Sequence, residues 1–175
     1  MSSSIIDFKN AILRNKGFAR PNRFHIEITA VPNGSDINTR DLAFLCESVN
    51  LPGKQITTTD YDIGTRRPLK IPTGYIEDDV TMTFNLTNNY LVKNAIDSWM
   101  KSIINIDSYL LEANEAVYKK DINISQLDEN DKPVYKVRLE NAFPITLNSI
   151  ELDANTESAV QKVTVVFTYD KLVIL

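Results

Sequence analysis

The chain has 175 residues, 43% of them hydrophobic and 24% charged, the composition of an ordinary globular protein with enough length to bury a core. A single cysteine, Cys46, excludes an internal disulfide and a cysteine-rich zinc site, and a single histidine, His25, leaves few combinations for metal or acid–base chemistry. The formal net charge is −4, opposite in sign to that of a protein built to grip nucleic acid.

The first periodic stretch is residues 4–16. Ile5, Phe8, Ile12 and Leu13 share a helical face, Ser4 can cap its start, and Gly17 can end it in the left-handed conformation. One apolar stripe on a short helix must pack against something, either the chain's own core or a neighbour. Arg20-Pro21-Asn22 breaks the helix, and Phe24, Ile26 and Ile28 alternate with His25 and Glu27 as in a half-buried strand. Residues 32–36 form a dense turn signal. Residues 42–49 read as a second strand, with apolar residues at both parities, and Leu51-Pro52-Gly53 makes a corner.

Residues 54–74 are unusual. Thr57, Thr58, Thr59 and Tyr61 favour strand, Gly64 suggests a turn or bulge, and 66–72 follow as an extended, proline-containing stretch. Large apolar residues are too sparse here for a core-buried hairpin. Such an arm either pairs with another chain or remains a surface loop. Its candidate contact residues are Thr57, Thr59, Tyr61, Arg66, Arg67, Leu69 and Ile71.

The clearest alternation runs over 79–87, where Val80, Met82, Phe84 and Leu86 interleave with Thr81, Thr83, Asn85 and Thr87. Thr87 or Asn88 can cap a helix reaching about residue 104, with Leu91, Ala95, Ile96, Trp99, Met100 and Ile103 on its core face. Residues 112–117 are helix-compatible. Strands at 121–126 and 134–140 flank a polar hairpin loop, Phe143-Pro144 opens a strand over 145–152, and a closing strand spans 160–172. Seven or eight strands and two helices predict a single mainly β domain (α+β) over 1–175: an antiparallel sandwich or barrel with one flanking helix and a short N-terminal helix.

Chemistry is sparse. A Cys46–His25 pair lacks a glycine-framed elbow and a third member, so a packed thiol and a strand-face imidazole are expected. Asp78 and Asp79 point to opposite faces if extended, and 128–131 lacks the glycine and terminal glutamate of a calcium loop. No phosphate-cradling loop is present. No catalytic residue, metal or cofactor is expected. Residues 1–6 lack a basic region followed by an apolar one, and no apolar run nears the ~20 residues of a spanning helix, so a soluble, cytosolically made protein without membrane contact is expected.

Three stretches, in order, resemble the tail tube proteins of contractile-tailed bacteriophages. The first is Phe18-Ala19-Arg20-Pro21-Asn22 running into the strand at 24–28. The second is Phe44-Leu45-Cys46-Glu47 with Leu51-Pro52-Gly53, the arm to Pro72, the acidic start Asp78-Asp79 and the helix with Trp99. The third is Ala142-Phe143-Pro144 and the closing strand. The resemblance covers most of the chain and is weakest over 104–136.

It implies a non-enzymatic structural virion protein made in the host cytoplasm: hexameric rings stacked into the inner tube of the tail, a conduit for DNA ejection. Implied partners are further copies of the chain, the sheath protein, the tape-measure protein and baseplate proteins, with DNA passing without specific binding. A baseplate tube-initiator of the same fold is the alternative within the class, and a small ligand-binding β-barrel the alternative outside it. About 24 strands at ~4.8 Å spacing and ~40° tilt would close a barrel of roughly 48 Å backbone diameter, leaving a bore of ~35–40 Å. Because phosphate contacts add affinity, acidic side chains are expected to face that bore.

Overall fold

In a computed structural model of the chain, residues 4–15, 17–32, 38–62, 64, 68–105, 108–153 and 159–175 are described. Helix α1 (Ile5–Arg14) begins at a reciprocal capping box between Ser4 and Asp7. Gly17, at φ +91°, donates its N–H to the Ile12 carbonyl and turns the chain away. Strand β1 (Phe24–Ile28) buries Ile26 and Ile28, the expected parity.

Residues 42–49 depart from the single strand expected of them. Helix α2 (Thr39–Leu45) occupies the first part and strand β2 (Cys46–Val49) the second. The Asn38 side chain accepts the Arg40 N–H at 3.0 Å, which starts the helix, and Leu42 is buried in the common core. Strands β3 (Lys54–Tyr61) and β4 (Leu69–Glu77) follow, then β5 (Val80–Asn85), whose Val80, Met82 and Phe84 are fully buried.

Helix α3 (Leu91–Ile103) is the longest and buries Val92, Ala95, Ile96 and Trp99. Its cap is neither Thr87 nor Asn88: the Asn89 side chain accepts the Leu91 N–H, and Tyr90 takes the N-cap position at φ +52°. The short α4 (Glu115–Tyr118) is tied to α3 by the Trp99 indole N–H, which donates to the Tyr118 carbonyl at 2.6 Å.

Strand β6 (Lys120–Leu127) and strand β7 (Pro133–Leu147) flank the polar loop, where the Asp128 carboxylate accepts the Asn130 and Lys132 N–H groups. Those two bonds hold the Asp128 carboxyl below its usual range. β7 is one strand where two were expected. It passes through Pro144 and ends at Leu147, and 148–152 are not strand. Proline is tolerated because the register with its neighbour shifts between Pro144 and Thr146. The expected closing strand is split in turn. β8 (Lys162–Thr168) ends at Tyr169-Asp170 and β9 (Lys171–Ile174) resumes beyond.

All pairings are antiparallel, and the strands run β1-β6-β7-β8-β5-β2, with β9 also on β7. The first half of β7 pairs with β6 and β9, its second half with β8. The crossing lies at Asn141, whose φ of +57° accompanies a register shift opposite Lys120–Ile122. One layer is therefore β1-β6-β7-β9 and the other β7-β8-β5-β2. Ile26, Ile122, Ile124 and Leu139 of the first layer share one core with Met82, Phe84, Val165 and Phe167 of the second and with α3. Trp99 meets Phe167 at 5.8 Å between ring centroids. The antiparallel, mainly β architecture with a flanking helix agrees with the expectation. Nine strands and four helices among the described residues replace the seven or eight and two expected.

Candidate assembly surfaces

β3 and β4 form a hairpin that pairs with neither layer among the described residues. Seven residue steps of strand make it about 24 Å long. The sequence predicted an arm too poor in apolar residues to build a core, and the hairpin has none: every residue from Lys54 to Ile76 that is described is exposed or, at Thr57, half-buried.

Cross-strand partners lie on the same face of a sheet. Thr59 faces Ile71, Tyr61 faces Leu69, Thr57 faces Gly74 and Gln55 faces Ile76. Five of the predicted contact residues, Thr57, Thr59, Tyr61, Leu69 and Ile71, thus converge on one uncharged face. Tyr61 and Leu69 are each 56% exposed. Arg66 and Arg67 lie outside the described residues. Sequence reasoning missed Ile76 on that face, and also Ile56 and Tyr75, which pair on the opposite face beside the Lys54–Glu77 and Lys70–Asp60 ion pairs at 3.0 and 4.0 Å. The strand alternation of 75–77 could have revealed them.

The foot of the hairpin is held at Asp78. Its N–H donates to the Gly53 carbonyl at 3.2 Å, and its carbonyl accepts the Tyr169 hydroxyl at 3.0 Å. A Cβ at Gly53 would lie 2.7 Å from an Asp78 carboxylate oxygen, so this corner is closed to side chains unless Asp78 moves. Desolvation, followed by the charges of Glu77, Asp79 and Asp78, pushes the Tyr169 phenol up to about 12.

Two further surfaces are open. The strand path begins at β1 and ends at β2, and the outer edges of β1, β2 and β9 carry no partner strand among the described residues. The solvent face of the β5–β8 pair presents Thr81, Thr83, Asn85, Thr164, Val166 and Thr168, with Thr83 and Thr164 hydroxyls 3.3 Å apart. Its one cation, Lys162, is neutralised by Glu47 of β2 at 2.7 Å. The solvent face of the other layer is charged: Arg138 donates to Asn123, which donates to Glu27.

Cys46 sits at the α2–β2 junction and donates its thiol proton to the Ser48 carbonyl. Burial pushes the thiol up to about 12, the reverse of what a nucleophile requires. His25 lies on the exposed side of β1, and no hydrogen bond joins it to Cys46 among the described residues. No three potential ligands cluster to hold a metal among the described residues, and no helix there is long and apolar enough to cross a membrane.

Among the described residues the fold is thus a two-layer antiparallel one with a freestanding hairpin and unpaired strand edges. The chain belongs to the phage tail tube protein family, whose model matches residues 19–175. It is thus a tail tube-type structural protein, of a family of tube components and not of enzymes.

Solved structures of similar fold include a chain of the anti-feeding prophage baseplate, at 17% identity and TM-score 0.65 over 90% of this chain and 95% of that one. A chain of the extended sheath–tube complex of the PVC extracellular contractile injection system has 18% identity and TM-score 0.65, over 90% and 91%. A chain from the anti-feeding prophage tube-terminating cap has 21% identity and TM-score 0.65, over 90% and 91%. At such identities the likeness is one of fold. No curated protein matches the chain in sequence.

Proposed function

We propose that residues 1–175 form a single tail-tube domain, copies of which close into hexameric rings that stack into the inner tube of a contractile tail and let DNA pass. The observation that carries this reading is the unfinished sheet: among the described residues, β1 and β2 have open edges and the uncharged face of the hairpin has no cover. In the ring the hairpin, through Thr57, Thr59, Tyr61, Leu69 and Ile71, is the arm that reaches the adjacent copy, and Arg66 and Arg67, which lie outside the described residues, are proposed to contribute to the same contact. Closing the barrel between copies removes edges that would otherwise aggregate.

The β5–β8 face lines the bore. In this reading the lining is mostly hydroxyl and amide, because the alternate residues of both strands are Thr, Asn and Val and Lys162 is paired with Glu47. Such a surface releases no counterions from a passing duplex and so gains no affinity for it. The origins of the similar chains, a sheath–tube complex and a baseplate, support a sheath protein around the tube and a baseplate at its end. A tape-measure protein occupies the bore before DNA.

Negative-stain microscopy of the purified full chain tests the reading. Rings and tubes of indefinite length are the expected result, and single rings that never stack would reassign the chain as a tube initiator. Light scattering that reports a strict monomer at every concentration would overturn both and favour a ligand-binding barrel.

A further inference from the structure

The strand ladder that carries the hairpin is interrupted at its foot. β2 pairs with β5 from Cys46–Phe84 to Val49–Met82, and the Asn50 N–H still reaches the Thr81 carbonyl at 3.0 Å. β3 and β4 resume at Lys54–Glu77. The break is spanned by residues 50–53 on one side and only 78–79 on the other, and Pro52 has no N–H to offer there. A corner of a few element-terminal residues with few cross-bonds is a hinge.

Among the described residues, no hydrogen bond or ion pair joins 54–77 to either layer. The aim of the hairpin therefore depends on what crosses the corner. Leverage makes that aim matter: on an arm of about 24 Å, a swing of about 15° carries the tip roughly 6 Å, more than the ~4.8 Å between paired strands.

Among the described residues, one side chain bonds across the corner from outside. β5 and β8 pair up to Val80–Phe167, and two residues further along each segment stand Asp78 and Tyr169. There the Tyr169 hydroxyl donates to the Asp78 carbonyl at 3.0 Å. The Asp78 N–H donates to the Gly53 carbonyl at 3.2 Å, so one residue is held from β8 and from the start of β3 at once. The Tyr169 ring packs against the common core, which makes it a fixed mount. Burial keeps its phenol protonated, the form that donates.

We infer that Tyr169 is a latch that fixes the direction of the hairpin before copies meet. It is a positioning residue: it aims the arm, and the arm makes the contact. An arm already aimed loses less freedom on docking, so the latch favours assembly. The latch stands on this geometry alone, and its consequence for assembly rests on the proposed function.

Double electron–electron resonance measures the aim. Spin labels are placed at Thr58→Cys, on the opposite face of the hairpin from the contact residues, and at Lys101→Cys, on the exposed side of α3, in a Cys46→Ser background. Labelled chain is diluted into an excess of unlabelled chain, so that each pair reports one copy. The expected result is one narrow distance population with Tyr169 intact. Tyr169→Phe keeps the ring and loses the hydroxyl. It should widen that population about twofold and raise the concentration for half-assembly about fivefold, the worth of one hydrogen bond. Gly53→Ala, whose Cβ would lie 2.7 Å from an Asp78 carboxylate oxygen, should widen it likewise. Thr29→Val is the control, because it removes a 2.7 Å hydroxyl bond to the Asp121 carbonyl in the other layer. It should lower the urea midpoint comparably and leave width and assembly unchanged. Equal widths with and without the Tyr169 hydroxyl, or equal widening by Thr29→Val, would overturn the latch. Widening in a chain that never forms rings would sustain the latch and sink the ring reading. Rings with unchanged widths would do the reverse.

Discussion

At the foot of the hairpin, the Tyr169 hydroxyl and the Asp78 carbonyl meet at 3.0 Å, and this contact links β8 to an element with no core of its own. Tyr169→Phe should cost about 1 kcal/mol, the net worth of one such bond, read as a lower urea midpoint with an unchanged slope. The Cys46 thiol makes a pH-dependent contribution with a definite sign. Its folded value, about 12, is raised above the ordinary value of 9.0. Folded and unfolded chains both hold the proton below pH 9, so the stabilisation is fully present there. As pH rises through 9 toward 12 the unfolded chain loses the proton first, and stability falls. Denaturation followed from pH 8 to 11 should show this decline, and Cys46→Ser should flatten it. Thiol-reactive dyes should label native Cys46 far more slowly than the urea-unfolded chain.

Among the elements, α3 depends most on one side chain. Trp99 fills the space against Phe167 and bonds the Tyr118 carbonyl, so Trp99→Ala should cost about 3–5 kcal/mol by cavity and lost bond together, measured by thermal or chemical unfolding. The hairpin predicts the opposite. Ile71→Glu, on an exposed face, should change the stability of the isolated chain by less than about 0.5 kcal/mol while abolishing rings under the microscope. These elements also differ in how legible they were. β1, β5 and β8 followed strict alternation, because one face meets the core and the other meets water. Residues 42–49 carried apolar residues at both parities, and the choice of helix came from the Asn38 cap and the place of Leu42 in the core, neither of which periodicity reports. The arm was legible as core-poor. That Tyr61 meets Leu69, and Thr59 meets Ile71, on one face depended on register, which the bulge after Thr57 sets.

At the scale of the whole molecule, the pairing of β1 with β6 joins Phe24 to Gln126, so closing the first layer needs contacts far apart in sequence. Refolding should accordingly take milliseconds to seconds, as for other non-local β topologies, in stopped-flow Trp99 fluorescence. If copies complete one another's sheets, the thermal midpoint should also rise with protein concentration, since assembly binds only the folded chain. The amino-acid order alone determined which faces of the strands turn inward and where α1 and the main helix run. Side-chain polarity is local information, and alternation records it directly. Tertiary structure decided that β7 bends at Asn141 to serve both layers, that β9 returns to it, and that the hairpin and both ends of the strand path stay unpaired among the described residues. Every residue but proline offers the same backbone donor and acceptor, so pattern marks a strand as half-buried without naming its neighbour. Only the competition among edges within the folded chain selects the partner.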